Sequence, residues 1–89
     1  MAGGAAPDRF AVRRWDDGIA VFDRRSGGTH CMNTATAAVF ERLATDPTAS
    51  DDAILPGVSA CMPGATDAEC RAAIAEARVR FDAARLFQA

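Results

Sequence analysis

Apolar and polar residues change rhythm once along this chain, near residue 33, and the change separates a strand-forming region from a helix-forming one. Phe10 and Val12 alternate with Ala11 and Arg13, and Trp15 then precedes Asp16-Asp17-Gly18. Alternation bounded by a turn signal whose glycine can take positive φ predicts a strand over residues 9–15 and a hairpin after it. Over residues 19–23, Ile19 and Val21 share one face and Ala20 and Phe22 the other, which predicts a second strand. Arg24-Arg25-Ser26-Gly27-Gly28 turns the chain back, and residues 29–32 are expected to form a short third strand.

Beyond Asn33, a plausible N-cap, the period lengthens. Thr36, Val39, Phe40 and Leu43 recur at helical spacing, predicting about three turns that end before Asp46-Pro47. Ser50-Asp51-Asp52 would cap a second helix with Ile54, Leu55 and Val58 on its buried side. Pro56-Gly57 sits inside it, so this helix is expected to be kinked or only a turn or two long. Thr66-Asp67-Ala68-Glu69 has capping-box spacing, and Cys70, Ile74, Ala77, Phe81 and Ala84 step along one face of a third helix. Leu86 and Phe87 close the core. The fold class is α+β, a three-stranded antiparallel sheet followed by three helices. Residues 1–8 read as a flexible tail and residues 9–89 as one domain.

Composition narrows the chemistry. The apolar share of 49% is largely alanine, so bulky core candidates are few: Phe10, Val12, Trp15, Ile19, Val21, Phe22, Val39, Phe40, Leu43, Ile54, Leu55, Val58, Ile74, Val79, Phe81, Leu86 and Phe87. Ten arginines, no lysine and twelve acids give a net charge of −2, which argues against a polyanion partner and leaves proteins or peptides. No run approaches the roughly 18 apolar residues of a membrane span, and the start has no basic, apolar signal pattern, so a cytoplasmic chain is expected. Cys31, Cys61 and Cys70 form no C-x-x-C pair and read as reduced, mostly buried small hydrophobes. His30 is the one histidine, and Cys31 beside it points to the opposite strand face. With no acid at triad or metal-ligand spacing, and Gly27-Gly28 explained by hairpin geometry, the expectation is no enzyme, no metal and no cofactor.

A third strand at a sheet edge beside a long helix is a place where a peptide adds as a further strand. The candidate edge is Gly28, Thr29, His30, Cys31 and Met32. On the third helix, Ala73, Glu76 and Arg80 flank the core stripe on one side, and Arg71, Arg78 and Arg85 form a basic line on the other. That line would suit an acidic, leucine-containing peptide; its plain alternative is a solvated helix face, with Glu76 and Arg80 pairing at i, i+4. Four or so edge bonds at a net 0.5–1.5 kcal/mol each give roughly 2–6 kcal/mol, short of the ~8 that micromolar binding needs. Side-chain anchors must supply the difference, and Trp15 is either core or one such anchor.

The series Gly18-x-Ala-Val-Phe-Asp23, Ser26-Gly27-x-Thr29-His30-x-Met32-Asn33, Val39-Phe40-x-x-Leu43 and the closing Leu86-Phe87 resembles the PqqD-like family, the recognition elements of ribosomally made, modified peptides. The Ser-Gly-x-Thr-His pattern is similar to a subgroup found beside a protein related to HPr kinase. The resemblance implies a winged-helix-like fold that binds a precursor (leader) peptide against the third strand, in a groove walled by the third helix, and presents it to a modifying enzyme. Two positions depart from the pattern: Arg85 stands where the family usually has glycine, and Pro56-Gly57 interrupts the second helix.

Two other readings compete. The helices could form a DNA-binding helix-turn-helix, but residues 50–63 hold two acids and no base, and the third helix balances four arginines with four acids. A wing also normally follows the reading helix, whereas here the ribbon comes first. A subunit that completes a partner's sheet predicts the same open edge without peptide specificity.

Overall fold

The computed structural model describes residues 9–87; the expected tail at residues 1–8 lies outside them. Three strands, β1 (Phe10–Trp15), β2 (Gly18–Asp23) and β3 (Thr29–Asn33), precede three helices, α1 (Thr34–Thr45), α2 (Asp51–Cys61) and α3 (Asp67–Ala84). The sheet is antiparallel in the order β1-β2-β3, with Trp15 opposite Gly18 and Gly18 opposite Asn33. It is the α+β architecture that the change of rhythm predicts. One face of the sheet is covered by α1, which packs on β2 and β3, while α2 and α3 pack on α1 and on each other.

The first turn holds a correction. Gly18 was expected to supply positive φ, but positive φ among the described glycines occurs only at Gly27 and Gly64. Gly18 instead begins β2, where a Cβ would lie 2.1 Å from the carbonyl oxygen of Met32. It is required by the close approach of β3, not by the turn. Gly27, with φ +79°, does serve the second hairpin.

All three helix starts are capped by the expected side chains. Asn33 accepts from the Thr36 amide at 2.9 Å, Ser50 from Ala53 at 3.2 Å, and Thr66 and Glu69 form a reciprocal capping box. Each cap contributes on the order of 1 kcal/mol. α2 runs eleven residues through Pro56, so of the two expectations, a kinked helix or one of only a turn or two, the short one does not hold. Proline within a helix costs about 3 kcal/mol, yet Pro56 lies on the exposed side while Ile54 and Val58 are buried, each burial worth roughly 1.5–3 kcal/mol. The burial offsets the missing amide bond. At the end of α3, Arg85 itself takes the left-handed conformation, φ 57° and ψ 40°. The amide of Arg85 donates to Asp82 and that of Leu86 to Phe81, a Schellman closure built without glycine.

Four phenylalanines, Phe10, Phe40, Phe81 and Phe87, interlock with ring centroids 5.1–6.1 Å apart where β1, α1 and the end of α3 meet. Not every expected core residue joins them. Val12, Trp15, Phe22 and Val79 are exposed. Val12 is on an edge strand, Trp15 and Phe22 belong to the sheet face that no helix covers, and Val79 is on the outer side of α3. Cysteine behaves likewise: Cys70 is buried, but Cys31 on β3 and Cys61 at the end of α2 are exposed.

Candidate functional site

The phase of β3 decides which of its backbone groups are available. The amide of Asp23 donates to the Gly28 carbonyl at 2.8 Å, so His30 and Met32 turn their amides and carbonyls toward β2, while the Gly28 amide donates to the Ser26 hydroxyl at 3.2 Å. Thr29 and Cys31 turn theirs outward, to the open edge, whereas Asn33 ends the strand as the N-cap of α1. Side chains follow the complementary alternation. Met32 is buried in the core and His30 partly buried on the same face, with its Nε2 lacking a hydrogen-bond partner, whereas Thr29 and Cys31 are exposed on the opposite face. Met32, expected in the site, packs its side chain into the core beneath the edge.

α3 meets this edge through a single long side chain. The Arg80 guanidinium donates from Nη2 to the Cys31 carbonyl, one of the outward-facing groups. That bond turns the flank carrying Ala73, Glu76 and Arg80 toward β3. Arg80 forms no ion pair among the described residues; the carboxylate of Glu76, one turn earlier, does not pair with it. A strand edge with free amides, beside a guanidinium whose charge is not neutralised, can take up an extended chain and hold a carbonyl or carboxylate on it.

The other flank of α3 is engaged elsewhere, and two expected anchors are corrected accordingly. Arg71 donates to Asp52 at 2.8 Å; Arg78 donates to Asp51 at 2.7 Å and to the Ala49 carbonyl at 2.8 Å. These bonds fasten α3 to the start of α2, and the Asp52 carboxylate raises the pKa of Arg71 further. Arg71 and Arg78 thus form a helix-to-helix seam, and Arg85 stands beyond it at the C-terminal cap of α3. The i, i+7 spacing showed one shared face, but not that Asp51 and Asp52 would lie against it.

One cluster escaped the sequence reading altogether. Arg9 grips Asp23 with two bonds, 3.0 Å from Nε and 2.9 Å from Nη2, and donates to the carbonyls of Leu86 at 2.7 Å and Arg85 at 2.8 Å. Asp23 is fully buried and also accepts from the Arg25 amide and the Ser26 hydroxyl. The Arg9 guanidinium above all, helped by these donors and against the cost of burial, holds the Asp23 carboxyl far below the ordinary carboxylate range. The role is structural: Asp23 shapes the hairpin that presents β3, and Arg9 ties that hairpin to the end of α3. A buried position within an alternating strand filled by Asp was the available signal.

Among the described residues no group of three or more His, Cys, Asp or Glu is arranged to hold a metal ion, and no helix is long and apolar enough to cross a membrane. No protein-family model matches the sequence, and no curated protein does. Among solved structures the chain is similar to TbiB1 in complex with the TbiA(beta) leader peptide, with a TM-score of 0.68 over 91% of each chain at 10% sequence identity. At that identity the likeness is one of fold.

Proposed function

We propose that this domain is a non-catalytic peptide chaperone that binds an extended precursor peptide as a fourth strand on the outer edge of β3 and holds it for a modifying enzyme. The observation that carries the reading is the pairing of the outward groups of Thr29 and Cys31 with Arg80 of α3 beside them, in a fold shared with a protein solved with a leader peptide. An incoming strand supplies an amide to the Cys31 carbonyl and displaces Arg80, whose guanidinium then turns to a carbonyl or carboxylate of the peptide. Gly28 and His30 shape the edge from behind, and Ala73 and Glu76 continue the wall along α3. The motif resemblance to PqqD-like proteins supports the same role, with an HPr-kinase-related protein as a candidate pathway partner. Such a chaperone would work in the cytoplasm, where Cys31 and Cys61 stay reduced.

The test is calorimetric titration of the purified chain with synthetic peptides from small open reading frames beside its gene, with duplex DNA as the control. Saturable micromolar binding of one peptide, lost in Thr29→Pro and Cys31→Pro, is expected. Both prolines remove an outward amide and leave the β2–β3 ladder intact, so the variants should keep the parent circular dichroism. Unchanged affinity in a folded proline variant would overturn the edge assignment, and DNA binding would favour the helix-turn-helix reading.

A further inference from the structure

The face of the sheet turned away from the helices carries a second surface, which adjoins the edge of β3. Antiparallel sheets with one solvated face ordinarily present polar residues there. Here three positions on each strand face outward, and Arg13 is the one charged residue among them. Trp15 and Phe22 stand on either side of it, 56% and 41% exposed, with Ala20 between. Phe22 is the one phenylalanine left out of the aromatic cluster. Beside Trp15, above Gly18, lies a shallow hollow of about 320 Å³ that Asp17, Cys31 and Asn33 also line. Exposed Trp, Phe and Arg gathered on one face, with a hollow among them, have the composition of an interface core.

Charge identifies the occupant. Arg13 has no ion pair among the described residues, and no outward position of the face is acidic; the nearest acids, Asp16 and Asp17, belong to the turn at its end. A face-to-face pair of copies would bring two Arg13 charges onto one buried face whose carboxylates, Asp16 and Asp17, lie only at its end, an arrangement that leaves the centre of the face poorly paired. We infer that the outer sheet face docks a different protein, one that offers an apolar surface with a carboxylate opposite Arg13 and an apolar side chain for the hollow beside Trp15. The face leaves the outward edge of β3 unobstructed, so partner and peptide can be held together.

The test places a photoreactive benzoyl-phenylalanine at position 22 of the full chain in its native cells and identifies the cross-linked protein and segment by mass spectrometry. The expected product is a cross-link to a segment of another protein that is apolar and contains Asp or Glu. With that protein purified, Arg13→Glu should weaken binding at least tenfold, and replacing the facing carboxylate by Arg should restore it. Arg13 is exposed and unpaired, so its substitution should leave the melting temperature unchanged. Cross-links only to a second copy or within the chain, no cross-link, or an affinity indifferent to Arg13→Glu would each overturn the inference. None of these outcomes bears on the peptide titration, which reads the edge.

Discussion

Arg9 and Arg80 both reach across the fold to backbone carbonyls, and they differ in what else they touch. Arg9 donates to Leu86 and Arg85 while its charge is met by the buried Asp23. Arg80 donates to Cys31 and forms no ion pair among the described residues. The first is a closed arrangement in which every strong group is satisfied inside the protein. The second is satisfied by one carbonyl, on an edge where that carbonyl has another natural partner, the amide of an added strand. An arginine in a small domain is thus a fastener or a contact for something else according to whether its counter-charge is built in.

The largest effect is expected at Arg9. Arg9→Ala leaves a buried carboxylate unpaired, and a loss of about 3 kcal/mol of stability is expected in denaturant unfolding. Acid sharpens the same point. Because the carboxyl of Asp23 is held low in the folded state, the stability it lends is complete above the ordinary carboxylate pKa of about 4 and is lost as the pH falls below it. The parent should therefore lose stability on acidification more steeply than Asp23→Asn, which starts lower at neutral pH; parallel curves would show that the pair does not control this range. At the open end, Arg80→Ala should leave unfolding almost untouched and weaken peptide binding about fivefold, the loss of roughly one hydrogen bond. Arg78→Ala should do the reverse, costing about 1 kcal/mol of stability for a half-exposed ion pair and a carbonyl bond, with peptide affinity unchanged. The smallest effect is expected at Arg85, which contributes its backbone to the Arg9 corner. Arg85→Gly removes the left-handed strain of a side-chain-bearing residue and should stabilise by about 0.5–1 kcal/mol.

Much of the fold was legible because local signals agreed with one another. The alternation before residue 33, the caps at Asn33, Ser50 and Thr66, and the apolar stripe of α3 each locate an element within a residue or two. Sequence reading erred where a tertiary neighbour decided the outcome. Pro56 was tolerated because it faces solvent, and Gly18 answers to the backbone of β3. Trp15 and Phe22 are bulky and alternate correctly, but alternation cannot say which of two apolar faces the helices will cover. Within the candidate site the edge strand was readable from the order of strands and turns. The separation of Arg80 from Arg71 and Arg78 was not, because it depends on where α2 lies against α3.

The corner made by Arg9 has one further consequence. Residues 9 and 86 are clasped there, at the end of the sheet opposite the Trp15–Gly18 turn, so the chain enters and leaves the fold at neighbouring points. A unit with adjoining ends can be spliced into the surface loop of a larger protein, or joined end to end and reopened at another exposed turn, without stretching any element. Evolution and protein engineering can thus move this domain between hosts as a cassette, carrying the edge of β3 and the outer sheet face with it.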